Sequence, residues 1–441
     1  LALAARRLGT RGLLPWLALV LCALVYRQRS QVRPETLVAV LLAAQLWLLE
    51  RARGGDQRAL LRARLRALLG VPLIACIWAN AHVSWWMGLA VTVLFAADTW
   101  RRERAVPRAL LGALAVSALV SFANPFGWRA LWQPFEYQLV LRGDPLFRTI
   151  AELKPVDWSE NVWNGLPLLV LGWPLLAVWR WRAASFDLVE AGLLVGFGYL
   201  GLTTQRFVGF LALVATPYLV RDLAHALEGW RGPSLPAWPR ALAVSAAAMG
   251  MVALELSHAG VGFGVGVDTR FLPVSACDYM QRASVRGRGL NEFWQGGYLL
   301  WRFWPERDRL PFMDIHQSGS ARDRALMAAL GNDPGALLAL DQEHHFDWVL
   351  TANRADLTGG LADQLDADST WRLVFFDDAA LLYARRSGRL APVAARDGYA
   401  LLRGGGVLFK RHQVVRIGSD LHAQIVDEIV DRARGLDVAV D

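Results

Sequence analysis

Six residues far apart in this chain carry side chains suited to binding oxyanions and hydroxyls: Asn80, His82, Asn124, Glu152, Arg206 and Asp314. A guanidinium presents a planar fork of donors that matches phosphate or carboxylate. An imidazole can donate or accept, amides bind hydroxyls, and a carboxylate can take a proton. Each also has a plainer reading. Asn80-Ala81-His82 interrupts an apolar run, where an amide and an imidazole are more often capping groups. Asn124-Pro125-Phe126-Gly127 is a turn by composition, since proline cannot extend a helix and glycine allows a positive φ. Glu152 beside Lys154 fits a solvated ion pair, and Arg206 fits either a snorkelling arginine or a phosphate clamp.

The elements that must position these groups are hydrophobic. Of 441 residues, 54% are hydrophobic and 20 are Trp, and apolar runs recur as far as about Leu256. Spans are expected at 13–26, 35–50, 67–81, 84–99, 107–123, 162–179, 186–204, 206–221 and 239–257. Alternating sides then give one set of loops 15 basic residues, Arg51, Arg53, Arg58, Arg62 and Arg101 among them, against 8 in the other set. The positive-inside rule places the richer set in the cytoplasm. The loop 124–160 and everything after about 258 then lie outside, and all six residues share that side. Trp85 and Trp86 fit an aromatic belt there. Asp98, Glu190 and Glu255 fall near span ends and read as interface residues, which argues against a transporter. The net charge of +8 is explained by orientation, not by nucleic acid. Cys22, Cys76 and Cys277 offer neither a disulfide framework nor a zinc site. The first residue is Leu, so the chain is expected to begin inside a longer protein.

The expected fold is therefore a multi-span α-helical membrane domain (1–257) followed by a small extracytoplasmic α/β domain (258–390) and a tail (391–441) with an amphipathic helix at Asp420–Gly435. In the loop 124–160, Leu131–Val140 and Phe147–Glu152 look amphipathic. In the α/β part, strands are expected at Leu310–Met313, Asp347–Leu350, Arg372–Phe376 and Ala380–Tyr383, the last two forming a hairpin at Asp377-Asp378. Helices are expected at Ala321–Leu330 and Gly335–His344. His344-His345 invites a metal, but neighbours on a helix point about 100° apart and suit one ion poorly. Asp314 and His316 follow a predicted strand and stay as weak site candidates. The paired glycines of Asn291-Glu292-Phe293-Trp294-Gln295-Gly296-Gly297-Tyr298 let backbone approach closely. No Walker loop, dinucleotide fingerprint or nucleophile elbow occurs.

At several of these residues the chain resembles a large group of bacterial multi-span membrane proteins of the GT-C glycosyltransferase class, distantly similar to protein O-mannosyltransferases. The resemblance runs through Arg33-Pro34, Leu49-Glu50-Arg51, Trp78-Ala79-Asn80-Ala81-His82 and Asn124-Pro125-Phe126-Gly127. It continues in Glu152 with Pro155, Arg206, and Trp294-Gln295-Gly296-Gly297-Tyr298 with Asp314. It implies transfer of a sugar from a polyprenyl-phosphate carrier on the outer face of a bacterial cytoplasmic membrane. The acceptor would be a glycan, a lipid or a protein. No cofactor is implied, and a divalent metal stays open. Departures are Val83 where relatives carry Gly, Leu153 where they carry Trp, and Asp314-Ile315-His316 where they carry Asp-Gly-Arg. These bear on the acceptor more than on the fold. In that class the base is an acid of the first outer loop, ahead of the Arg-Pro span. It is thus expected on sequence preceding Leu1, with Glu35 merely beginning a span. The rival expectation is a non-catalytic scaffold for surface glycan export, with a transporter third.

Overall fold

The computed structural model describes residues 2–8, 14–27, 34–53, 57–227, 236–258, 272–315 and 319–404, with isolated positions 424, 427, 429 and 430. Two compact units emerge, one of Leu1–Gly143 with Ile150–Phe263 and one of Asp144–Thr149 with Gly264–Asp441.

The first unit is helical. Its elements are α1 (Ala2–Arg7), α2 (Leu14–Tyr26), α3 (Pro34–Arg51), α4 (Gln57–Ala81), α5 (Trp86–Glu103) and α6 (Arg108–Val120). Then come α7 (Trp128–Leu139), α8 (Trp158–Asn161), α9 (Trp173–Ala183), α10 (Leu188–Thr203), α11 (Val208–Ala226) and α12 (Ala237–His258). Local signals set the ends. Pro34 opens α3 with Glu35 in its first turn and Arg51 in its last, matching the helix dipole at both ends. Asp187 caps α10 by accepting from the backbone N–H groups of Val189 and Glu190. Helix α11 is apolar on every side and buried through most of its length, so it forms the axis of the unit. Trp78, Phe95, Trp173, Phe210 and Tyr218 pack with Leu42, Leu46 and Leu49 in the core. Helices α3 and α5 cross closely at Gly88, whose carbonyl accepts from Gln45 Nε2 at 2.7 Å. A Cβ there would lie 2.8 Å from Gln45 Oε1 and 3.2 Å from the Trp78 ring, so a larger residue would push the Gln45 amide aside.

The nine predicted apolar segments are helical through most of their described residues, with turns at 121–123 and 162–165 and two further changes at their ends. Helix α4 begins at Gln57, ten residues before the predicted 67, so Arg58, Arg62, Arg64 and Arg66 lie on a helix and not in a loop. Arg, Leu and Ala all have high helix propensity, and apolar content alone gives no sign of that extension. The segment 162–179 enters through a π-helical turn, Leu168–Gly172, before α9. Among the described residues one helix, Gln205–Ala226, is long and apolar enough to cross a membrane by length and composition. Shorter apolar helices are Leu17–Tyr26, Arg108–Val120, Leu188–Thr203 and Ala241–Leu254.

The second unit contains α13 (Val274–Arg282), β1 (Gly289–Asn291), α14 (Gly296–Phe303), α15 (Ala321–Ala329), α16 (Pro334–His344) and β2 (Trp348–Ala352). It continues through α17 (Ala355–Ala367), β3 (Trp371–Phe376), β4 (Ala380–Arg385) and α18 (Ala391–Asp397). The sheet order is β1-β2-β4-β3, parallel between β1 and β2 and antiparallel elsewhere. The predicted hairpin at Asp377-Asp378 is present, with Asp377 Oδ1 accepting from Ala379 and Ala380 N–H. Leu310–Met313 is a correction, because it forms no strand. Pro311 has no N–H, and Phe312 N donates to the side chain of Asn291 at 2.7 Å instead of to a neighbouring strand. The pairing strand is the short β1, which the sequence reading did not pick out. His316 and most of the tail helix at 420–435 lie outside the described residues.

Candidate functional site

Arg206 sits in the tight turn Gln205–Phe207 between α10 and α11. Three other segments converge on its guanidinium. His82, between α4 and α5, places Nε2 3.2 Å from Arg206 Nη2. Glu35, in the first turn of α3, lies 3.7 Å from Arg206 Nε through Oε2. Glu152, in the long loop, lies 3.7 Å from Nη1 through Oε1. Glu35 is only 2% exposed, whereas Arg206 and Glu152 reach solvent.

The loop is held to this turn by named bonds. Gln205 N donates to Lys154 O at 2.8 Å, and Asp157 N donates to Gln205 Oε1 at 2.9 Å. Val156 N donates to Leu202 O at 3.4 Å. Asp157 also caps α8 and binds Ser159, which holds its carboxyl below the ordinary value. These bonds deliver Glu152 to Arg206.

His82 is fixed from behind. Its Nδ1 is 2.8 Å from Ser84 Oγ, which also accepts from Trp78 Nε1 at 3.1 Å, and Ser84 N lies 3.2 Å from Nδ1. Ser84 N–H donates to Nδ1, so that edge of the ring is anchored and Nε2 is turned toward Arg206.

Two of the predicted site residues turn out to hold turns. Asn80 Nδ2 donates to Cys76 O and Ala123 O, tying the end of α4 to the end of α6. Asn124 accepts from Phe126 N and donates to Ser121 O and Gly127 O, closing its own turn, where Gly127 takes φ +55. Asp314 belongs to the second unit.

Two residues near Arg206 went unrecognised in the sequence. Glu35 read as a helix start, and its one signal was an acid at the mouth of an apolar helix. Tyr137, on α7, carries a phenol raised by burial and eased by the charges of Arg142 and Arg206. A single tyrosine in an amphipathic helix gives no signal.

The far ends of α3, α5, α9, α10 and α11 hold a second, denser charge cluster. Arg53 binds Glu50 at 3.0 Å, Asp98 at 2.9 Å and Asp187 at 2.8 Å. Arg221 binds Asp187 at 2.7 Å and Glu190 at 2.5 Å, and Tyr218 OH donates to Glu50. Trp173 and Trp181 both donate to Glu190. Asp98 and Glu190, which read as interface residues, are fully buried members of this cluster.

In the second unit, polar groups gather where β1 and β2 end. Thr351 Oγ1 donates to Glu292 Oε1 at 2.9 Å, and burial pushes the Glu292 carboxyl up to about 7. Gln295 is fully buried with neither amide atom hydrogen-bonded. Gly296 packs so tightly that a Cβ would meet Met313 O at 2.3 Å and Asp314. Ligand atoms of Asp323, Glu343 and His344 lie within 4.8 Å of one another and could hold a cation. Asp323, however, is already engaged by Ser320 and by His344 at 3.0 Å, and His345 turns away at φ 52.

No protein-family model and no curated protein matches this sequence. Similarity appears in the fold. The oligosaccharyltransferase of Archaeoglobus fulgidus, in a crystal structure tethered to an acceptor peptide containing the NVT sequon, superposes with TM-score 0.53 at 12% identity. The match covers 88% of this chain and 61% of that one. The apo form of the same enzyme gives 0.49 at 13% identity, covering 87% and 61%. This chain thus spans about three fifths of the length of that enzyme. At such identity the likeness is one of fold alone.

Proposed function

We propose that this chain is a membrane glycosyltransferase of the GT-C class that moves a sugar from a polyprenyl-phosphate carrier to an acceptor. The site faces the outside of a bacterial cytoplasmic membrane, and the helices of the first unit span the bilayer. The arginine-rich end of that unit lies in the cytoplasm by the positive-inside rule. The observation that carries the proposal is the meeting of His82, Glu35 and Glu152 on Arg206 from four separate segments. The oligosaccharyltransferase-like fold supports it.

In the reaction the acceptor oxygen bonds to the sugar's anomeric carbon as the bond from that carbon to the phosphate oxygen breaks. The acceptor proton passes to a base, and polyprenyl phosphate leaves as an anion anchored in lipid. A cation fixed at the lipid surface is already placed to meet that charge, which is where electrostatic catalysis acts. Glu35, buried and immobile, orients the guanidinium. His82 Nε2 is freed for a sugar hydroxyl once Arg206 turns to the donor. Both carboxylates stand at 3.7 Å, beyond direct hydrogen-bond range, so an incoming phosphate can take over the guanidinium's donors.

Two carboxylates against one guanidinium also oppose an approaching anion. The donor must displace a carboxylate contact or bring a cation with it. That charge balance is the observation favouring the rival reading, a scaffold that binds no donor. Arg206→Ala should abolish transfer from radiolabelled polyprenyl-phosphate sugar while the protein still integrates into membranes. Full transfer by that variant would remove the mechanism.

A further inference from the structure

We propose that the end of the helical unit opposite Arg206 is a docking surface for the head groups of anionic phospholipids. The proposal rests on the membrane placement argued above and concerns a different surface from the candidate site. On α4, Arg58, Arg62 and Arg66 recur every fourth residue, and so do Leu61, Leu65 and Leu69. Residues four apart share a helix face, so an arginine stripe runs beside a leucine stripe. All six are exposed, Leu61 at 62% and Leu69 at 75%, and Leu73 continues the apolar stripe along the helix. An ion pair between Arg64 and Glu103 holds the end of α5 against another side of α4, and Arg102 there is paired with the buried Asp98.

The placement of the acids sets this surface apart from an ordinary basic loop. Glu50, Asp98, Asp187, Glu190 and Asp222 are all buried at this end, where they hold Arg53, Arg180 and Arg221 from within. Among the described residues, the exposed acid here is Glu103, already taken by Arg64. The fold has sorted its charges, with acids inward and surplus arginine outward. Guanidinium groups at phosphate depth with leucines just below them match the head-group and acyl layers of a leaflet. A nucleic acid would match the arginines but would leave the leucine stripe in water.

The test compares melting of the full chain in nanodiscs of phosphatidylcholine with nanodiscs containing phosphatidylglycerol. The anionic lipid should raise the Tm, and added salt should shrink that shift. The triple variant Arg58→Gln, Arg62→Gln, Arg66→Gln should melt with the wild type in phosphatidylcholine yet lose at least about half of the anionic shift. The corresponding lysine triple should keep it. Equal melting of the wild type in both lipids, or a full shift in the glutamine triple, would overturn the proposal while leaving the transferase reading standing. Saturable oligonucleotide binding in place of a lipid effect would overturn it as well. A chain extracted by alkaline carbonate would remove the membrane placement and this surface together.

Discussion

Arg206 can be read two ways from its neighbours in sequence, and its neighbours in space are groups that sequence does not bring near it. A snorkelling arginine needs only water, but this one is met by an imidazole and two carboxylates from other segments. Arg206, His82 and Glu152 could be picked out as polar groups interrupting or joining apolar runs. Asn80 and Asn124 share that signal, yet they spend their amides on backbone carbonyls, because a helix end leaves carbonyls to be satisfied. Glu35 shows the opposite failure. Its position obeys the helix-dipole rule so well that sequence gives no reason to look further. At Glu292 the same scale gives a pH prediction. The fold raises its carboxyl from 4.5 to about 7, so the native state binds more protons than the unfolded state between those values. Stability from this group is complete below about 4.5 and is lost as pH rises through about 7. Amide exchange of β1 and β2 in the full chain should therefore speed up relative to intrinsic rates as pH rises across that window. Glu292→Gln should flatten the trend, and an unchanged trend in the variant would refute the assignment.

Elements with a clear period were legible, and elements defined by their partners were not. The apolar segments announced their helices, and Arg372–Phe376 with Ala380–Tyr383 announced a hairpin through the aspartates between them, which the structure extends to Trp371 and Arg385. Strand β1 is three residues long and owes its state to β2, so no local pattern could reveal it. Leu310–Met313 has a strand's composition, but the Asn291 side chain takes its backbone donor. The buried charge cluster at the far helix ends was invisible for a similar reason, since its members come from five helices and the loops joining them. It predicts a large effect from one change. Arg53→Met takes the arginine from Glu50, while Asp98 keeps Arg102 and Asp187 keeps Arg221, and stranding buried charge typically costs about 3–5 kcal/mol. Thermal or denaturant unfolding in detergent should show that loss. A variant within about 0.5 kcal/mol of wild type would mean that water or relaxation replaces the pairing.

For the whole molecule, the first unit carries two charge clusters at opposite ends of the same helices. Helix α3 carries Glu35 in its first turn and Glu50 in its last, and α11 follows Arg206 and carries Tyr218, Arg221 and Asp222 further along. At about 1.5 Å per residue Glu35 and Glu50 lie roughly 22 Å apart, most of the depth of a bilayer core. One cluster is dense and buried, as suits a structural clamp. The other is looser and partly open, as suits a site whose cation must change partners. The central claim is that the cation of the open cluster receives the carrier's phosphate. Binding of a polyprenyl monophosphate to the nanodisc-embedded chain measures this most directly, with wild type compared against Arg206→Gln. The account predicts saturable binding that weakens about tenfold or more in the variant, as losing a charge-assisted phosphate contact should. Equal affinity in the two proteins would contradict it.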